Sequence, residues 1–127
     1  MMNDRFKFRV WDNNKKEYLY KGYIHRKGYL VMPTMKNDYS LAEAEGDFVV
    51  EQCTGLKDKN GNLIYDGDII KSPSNSNVLR VYQEYTGLWR CVEYRVGGRK
   101  ELPLYQLCDY GVEICGNIHE NEELYNG

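Results

Sequence analysis

Two turn signals in residues 53–71 constrain the fold more than any other feature of the chain. They are Asn60-Gly61 and Asp66-Gly67, and apolar residues with strand propensity lie on both sides of them. Asn-Gly and Asp-Gly supply the positive φ angles of the tight turns that join antiparallel strands. The stretch therefore predicts short strands separated by sharp reversals, and it specifies backbone geometry rather than chemistry.

We assign a structural turn motif to this stretch. Thr54 and Gly55 end the strand predicted over 48–53. The Asp68 carboxylate is expected to accept backbone N–H groups in the second turn, as Asp side chains commonly do. The motif comprises Thr54, Gly55, Asp58, Asn60, Gly61, Tyr65, Gly67 and Asp68.

The first turn has part of the pattern of a calcium-binding loop. Asp58, Asn60 and Asn62 stand at the first three ligand positions of an EF-hand. The pattern then requires Gly and Glu at the positions that hold Leu63 and Ile69 in this chain. The match fails at both positions, and we predict no calcium site.

The cysteines do not form a metal-binding pattern either. The chain has four, Cys53, Cys91, Cys108 and Cys115, and no two of them form a C-x-x-C pair. Zinc sites are built from closely spaced ligand pairs. We therefore predict no metal and no cofactor, and we expect the four thiols to be small buried hydrophobic groups in a reducing cytosol.

Length and local patterns predict one mainly β domain over residues 1–127. An apolar–basic alternation over 6–11, the polar turn 12–16 and the strand residues 18–24 predict an N-terminal hairpin. The clearest hairpin spans 78–96, with Gly87 expected in the left-handed region of its turn. Many short strands of this kind are typical of a small barrel or sandwich, with 1–52 as an N-terminal β segment and 53–127 as the barrel-like part.

Three other segments predict their local structure less clearly. A variable loop is predicted near 33–46, with one helical turn over 40–45 capped by Ser40. Pro103 predicts that 102–107 is an edge segment or a covering loop. Asn121 is expected to cap a short C-terminal helical turn that runs through Leu124.

Composition and charge restrict the partners. The net charge is −2, so no global field attracts the chain to nucleic acid or to an anionic membrane. The first residues contain no apolar signal-peptide core, and no apolar run is long enough to span a bilayer. We predict a cytoplasmic protein with no membrane partner. Twelve tyrosines leave two interpretations open, a scaffold of half-buried strands and an aromatic association surface.

Four segments in order along the chain resemble the YopX family of small bacteriophage and prophage proteins. They are Phe8–Asp12, Thr54–Gly61, Ile64–Ile70 and Gly116–Asn121. The resemblance implies an SH3-like β-barrel formed by the central and C-terminal strands, with the N-terminal hairpin as an extension. It also implies a bacterial host cell and a tendency to form multimers. It supplies no catalytic residues, and residues 35–45 are interpreted as a variable insertion.

The sequence leaves three functions to compare. The first is a non-enzymatic, self-associating interaction module, a homo-oligomer that also binds a host or phage protein. The second is a nucleic-acid-binding accessory protein that uses a basic and aromatic hairpin over 78–100. Its candidate contacts are Arg80, Trp89, Arg90, Tyr94, Arg95, Arg99 and Lys100, with Tyr82 interleaved.

The third is a metal-dependent enzyme. It would use paired carboxylates, Asp66 with Asp68 or Glu122 with Glu123, together with Glu113. No Ser/His/Asp or Cys/His grouping is visible in the sequence. We therefore predict that the protein is not an enzyme.

Overall fold

The computed structural model describes residues 7–19, 23–24, 30–33, 41–43, 47–73, 77–95 and 98–126. Within these residues the fold is mainly β and includes a sheet curled into a half-barrel. The elements in chain order are β1 (Phe8–Asp12), β2 (Glu17–Leu19), β3 (Tyr23–Ile24), β4 (Leu30–Pro33), β5 (Leu41–Glu43), β6 (Phe48–Lys57), β7 (Leu63–Tyr65), β8 (Asp68–Lys71), β9 (Val78–Gln83), β10 (Trp89–Arg95), β11 (Gly98–Pro103), α1 (Leu104–Cys108), β12 (Glu113–Asn117) and α2 (Glu122–Asn126).

The chain forms two compact units. Residues 9–50 make one unit, and residues 1–8 with 51–127 make the other. The boundary predicted between residues 52 and 53 falls inside β6, whose residues are shared between the two units.

In the unit of residues 9–50, β1 and β2 pair antiparallel, with Val10 opposite Leu19. The buried Asp12 organises the connection between them, because its Oδ1 accepts the backbone N–H groups of Asn14 (2.9 Å) and Lys15 (3.1 Å). The short polar connection thus has its own internal hydrogen bonds, as turns built on Asp usually do.

The strands β3, β4 and β5 form a three-stranded antiparallel sheet in the same unit. The helical turn predicted over 40–45 is wrong for residues 41–43, which form β5 and pair with β4. Pairing with a neighbouring strand overrides the local capping signal there. The remaining residues of that predicted turn, and most of the variable loop near 33–46, lie outside the described residues.

The unit of residues 1–8 and 51–127 contains a five-stranded sheet in the order β11-β10-β9-β8-β12. The hairpin predicted over 78–96 is confirmed as β9 and β10. Gly87 has a φ of 93° and donates its N–H to Glu84 O at 2.8 Å, as expected for a Gly that completes the turn.

The core lies on one face of this sheet and is covered by α1. Its fully buried members are Ile64, Ile70, Leu79, Val81, Cys91, Leu104 and Val112. Of the predicted edge segment or covering loop 102–107, only residues 102 and 103 lie in the edge strand β11, and the prediction is wrong for residues 104–107, which form α1. Pro103 is its N-cap and Leu104 its buried contact. Proline is tolerated at a helix start because the backbone N–H that it lacks would have no intrahelical acceptor there.

The four cysteines differ in environment. Cys53 and Cys91 are buried and Cys108 is partly buried, whereas Cys115 is exposed, so the expectation of burial is wrong for Cys115. Burial raises the pKa of the Cys91 thiol to about 12. Cys91 is therefore protonated and inert at neutral pH, which fits a packing role.

Candidate functional site

The first predicted turn is organised by a buried carboxylate. Asp58 is 6% exposed, and its Oδ1 accepts the backbone N–H groups of Asn60 (3.0 Å) and Asn62 (2.9 Å). Its Oδ2 accepts the N–H of Ile114 in β12 at 3.2 Å, a residue 56 positions away. Gly61 completes the turn with a φ of 86°. The residue that resembles a calcium ligand thus satisfies backbone donors and ties this turn to the sheet.

These hydrogen bonds determine the charge state of Asp58. Burial acts to raise the pKa of the carboxyl, but the N–H groups of Asn62, Ile114 and Asn60 together outweigh burial and lower the pKa. Hydrogen bonds to the ionised form favour that form. Asp58 is therefore a fixed negative charge.

The second predicted turn has a similar basis. The buried Asp68 accepts the N–H of Tyr65 at 2.8 Å, which is the hydrogen bond predicted for it. Gly67 has a φ of 89° and donates its N–H to Val81 O at 3.0 Å. Upstream, the predicted strand end at Thr54 and Gly55 is wrong, because β6 continues to Lys57. The register with β7 shifts between Cys53 and Lys57 instead. In this irregular part Thr54 Oγ1 accepts the Leu56 N–H at 3.0 Å, and Gly55 has a φ of 82°. The turn motif thus combines local hydrogen bonds and left-handed glycines with two hydrogen bonds to distant strands, those of Asp58 with Ile114 and of Gly67 with Val81.

A buried pair of ionisable residues lies beside the second turn. His119 Nε2 is 3.0 Å from Glu51 Oε2, and the two side chains are 13% and 3% exposed. Gly67 lies against this carboxylate, since a Cβ at Gly67 would clash with Glu51 Oε2. A buried carboxylate needs a partner to offset its desolvation, and His119 is such a partner.

The loop that carries His119 is held by its own asparagines. Asn117 Oδ1 accepts the N–H groups of His119 (3.0 Å) and Glu120 (2.9 Å), and Asn121 Oδ1 accepts the N–H of Asn117 (3.2 Å). A Cβ at Gly116 would be 2.5 Å from Asn121 Oδ1, so the loop packs closely on β12. The Ile118 N–H donates to Gly67 O at 3.0 Å, which joins the loop to the second turn.

Sequence reasoning did not find the Glu51–His119 pair. The two residues are 68 positions apart, and no local pattern links them. One signal was present, because Glu51 lies two residues before Cys53 on a strand and therefore shares its inward face. A charged residue at an inward position indicates a buried partner elsewhere in the chain.

The enclosure of the pair limits its chemistry. A carboxylate beside an imidazole is the arrangement that orients a general base. Here, however, Glu51 is covered by the glycine turn, and the ring is largely buried. In the described ranges, no group of three His, Cys, Asp or Glu side chains could hold a metal ion. The geometry supports a structural role, in which the pair fastens the 116–121 loop to β6.

The basic and aromatic residues of 78–100 lie on both faces of the sheet. Arg90 is opposite Tyr82, and Val92 lies between Arg80 and Glu101, so these side chains share the face opposite the Cys91 core cluster. Val92 is itself buried on this face. Trp89 lies on the other face, where it is partly buried and packs against the core. Lys100 is exposed and opposite Glu93. Tyr94 and Arg95 pair along the backbone with Arg99 and Gly98, and their side chains lie outside the described part.

Carboxylates accompany the cations on this outer face. Arg90 Nε is 3.5 Å from Glu84, and Arg99 is 3.4 Å from Glu101 Oε1. The Tyr82 hydroxyl donates to the same Glu101 oxygen at 2.6 Å. The hydrogen bond from Tyr82, with the nearby Arg99 and Arg90, lowers the pKa of Glu101. Arg90 and Arg99 on this face are therefore each paired with a nearby carboxylate.

A second exposed surface has little charge. We define the α1 surface as Tyr105, Gln106 and Tyr110. Tyr105 is 53% exposed, Tyr110 is 73% exposed, and Gln106 Nε2 is 3.3 Å from the Tyr105 hydroxyl. Asp109 is the only charged residue in the segment 104–112. Exposed tyrosines on a segment with little charge are typical of the centre of a protein–protein interface.

In the part of the chain that is described, no helix is long and apolar enough to cross a membrane. Among curated proteins, none matches the chain. A crystal structure of protein EF1440 from Enterococcus faecalis is similar, with a TM-score of 0.55 and 25% sequence identity. The alignment covers 94% of this chain and 96% of that one. The family model described as YopX protein matches residues 7–126, which include both turns, the Glu51–His119 pair and the 116–121 loop. The chain therefore belongs to the YopX family.

Proposed function

We propose that this protein is a non-enzymatic interaction module whose first partner is a second copy of itself. The observation that carries the proposal is the α1 surface, where two exposed tyrosines lie on a segment with one charged residue. Tyrosine contributes a large apolar area and a hydroxyl at a low cost in side-chain entropy. A surface of this kind is suited to a symmetric interface, in which the same patch serves both copies.

Light scattering over a concentration series tests the proposal. The wild-type protein is expected to have a mass above that of one chain, and the double variant Tyr105→Ser/Tyr110→Ser a lower mass at the same concentration. Tyr85→Ser is the matched control, because Tyr85 is fully exposed in the β9–β10 turn and lies outside the α1 surface. A monomeric wild-type protein at every concentration would disprove self-association, and equal masses for all variants would exclude the α1 surface.

The proposal also includes a cellular location, the cytosol of a bacterial host, and an architecture, the SH3-like barrel. Family membership suggests a role in the cytosol of a bacterial host during a phage or prophage programme, with a host or phage protein as a further partner. It also suggests that the central and C-terminal strands form an SH3-like barrel that the N-terminal hairpin extends. Affinity capture from induced host cells tests the partner, and superposition of an experimental structure on SH3-like barrels tests the architecture.

Nucleic-acid binding is the second candidate. It is favoured by the register that places Arg80, Tyr82 and Arg90 on one face of the sheet. It is weakened by Glu84 and Glu101 beside the arginines and by the burial of Trp89 against the core. Retention on DNA at about 50 and 200 mM salt distinguishes the two functions, since phosphate contacts weaken steeply with salt. Absence of retention at the lower salt would exclude this candidate.

A further inference from the structure

The two edges of the five-stranded sheet differ in how they end. At β12 the register with β8 shifts between Ile114 and Gly116. The turn at Asp58 also forms hydrogen bonds with backbone groups at the start of β12. Asp58 accepts the Ile114 N–H at 3.2 Å, and the Lys59 N–H donates to Val112 O at 2.8 Å. A bulge and hydrogen bonds from a covering turn are common ways to prevent another strand from pairing at an edge.

Among the residues that the structure describes, the β11 edge has neither a register shift nor a hydrogen bond from a covering turn. β11 pairs with β10 over six consecutive positions without a register shift. It is an edge strand, with a neighbour in the sheet on one side only. Residues 98–100 are exposed. A straight, accessible edge strand presents backbone N–H and C=O groups to which another strand can bind.

The charges on β11 are complementary to an antiparallel copy of the same strand. Arg99 and Glu101 are two residues apart and therefore lie on one face. A two-fold axis through Lys100, perpendicular to the sheet, places Arg99 of each copy opposite Glu101 of the other. Moving the axis by one residue places Arg99 opposite Arg99 or Glu101 opposite Glu101, and like charges in opposed positions are destabilising. The charge pattern therefore selects one register.

The existing contacts of these residues are compatible with that register. Within the described residues, the ion pair of Glu101 with Arg99 and its hydrogen bond from Tyr82 both use Oε1. Its second oxygen can accept a guanidinium from the other copy. The axis also brings the two exposed Lys100 side chains together, which is the one like-charge contact of this register.

We propose that two copies of this protein associate through β11, with the two strands antiparallel and Arg99 opposite Glu101 of the second copy. This inference rests on the proposed self-association and assigns it an interface and a register. α1 begins directly after β11 and packs on both β11 and β10, so the α1 surface lies next to the same edge.

Charge reversals on β11 test the register. Arg99→Glu places two carboxylates opposite each other at both contacts, and Glu101→Arg does the same with two guanidinium groups. Each variant alone is expected to weaken self-association at least tenfold. An equimolar mixture of the two restores both attractive pairs and is expected to associate as tightly as the wild type. Circular dichroism and thermal melting establish that each variant is folded.

The opposite edge of the sheet provides matched controls. Lys59 and Glu113 form an exposed ion pair, with Nζ 3.4 Å from Oε2. Lys59→Glu and Glu113→Arg make the same charge changes away from β11 and are expected to leave the mass unchanged, alone or mixed.

The outcomes separate this inference from the proposal on which it rests. If the wild type is monomeric, both are overturned. If the wild type associates but the β11 variants associate equally well, or if their mixture is no tighter than either variant alone, the β11 register is overturned and self-association stands. Weakening by Tyr105→Ser/Tyr110→Ser in that case assigns association to the α1 surface alone.

Discussion

Charged residues are placed differently on two sides of the five-stranded sheet, the side of β8 and β12 and the side of β9, β10 and β11. Near β8 and β12, Asp58, Asp68 and Glu51 are buried, and each has a defined donor or an imidazole as its partner. On the face of β9, β10 and β11 that carries Arg90 and Arg99, Glu84 and Glu101 form partly exposed ion pairs, whereas the buried Glu93 of β10 lies on the other face. A buried carboxylate is costly without its partners, whereas a surface pair contributes little to stability. The buried acids are therefore expected to contribute more to the stability of the fold than the partly exposed ion pairs do.

The largest effect that this comparison predicts is at Gly67. In Gly67→Ala the new Cβ clashes with Glu51 and the residue keeps a positive φ, so we expect a loss of about 3 kcal/mol in the free energy of unfolding. Gly61→Ala is the matched control, because Gly61 has a similar φ and no atom within 4 Å of its Cβ position. We expect it to lose about 1 kcal/mol. Urea denaturation measures both, and equal losses would mean that the contact with Glu51 is unimportant.

The next largest effect is expected at Asp58. Asp58→Ala removes the buried carboxylate that accepts the backbone N–H groups of Asn60, Asn62 and Ile114, and we expect a loss of about 2–3 kcal/mol. Glu113→Ala removes a carboxylate that is also near β12 but is half exposed and forms only a surface ion pair. We expect a change within about 0.5 kcal/mol for it. Similar losses in the two variants would contradict the distinction between buried and surface acids.

The same carboxyl predicts part of the acid sensitivity of the fold. The pKa of Asp58 is lower in the folded chain than in the unfolded chain, so the unfolded chain binds more protons as the pH falls. The stabilisation is complete above the ordinary Asp value of about 3.9 and is lost as the pH falls through the folded-state pKa. Urea midpoints from pH 6 downward should therefore fall more steeply for the wild type than for Asp58→Ala. Parallel curves would exclude this contribution.

What the sequence predicts well is local turn chemistry. Gly61, Gly67 and the hydrogen bond of Asp68 follow from short patterns, because Asn-Gly and Asp-Gly restrict the backbone whatever surrounds them. The hairpin of β9 and β10 follows from the turn at Gly87 in the same way. These are interactions between residues close together in the chain, and a single sequence contains the information for them.

What the sequence does not predict depends on long-range pairing. Glu51 and His119 meet because β6 and the 116–121 loop pack together, which no local pattern encodes. Trp89 is a candidate contact only in the nucleic-acid hypothesis, and its strand register places it on the core side of the sheet. Residues 41–43 have helical signals and form a strand because β4 pairs with them. In each case a partner distant in sequence decides the outcome.

A smaller effect is expected for the buried Glu51–His119 pair. We expect a double-mutant cycle with Glu51→Gln and His119→Gln to give a coupling of about 1 kcal/mol, because either single change leaves a buried polar partner poorly matched. The free energies of unfolding of the wild type, both single variants and the double variant provide the measurement. Additive losses would show that the 3.0 Å contact contributes no coupling and that each side chain acts through its packing.

The smallest effect is expected at Glu84, which tests the other side of the comparison. Glu84→Gln removes the ion pair with Arg90. The Arg90 side chain is 23% exposed and the Glu84 side chain 29% exposed. Such a pair gains little Coulomb energy near water and restricts two long side chains, so the free energy of unfolding should change by at most about 0.5 kcal/mol. Glu51→Gln makes the same chemical change at a buried site and should cost more. If Glu84→Gln costs as much, the outer face of β9 and β10 helps to maintain the fold, and its charges are not free to serve association.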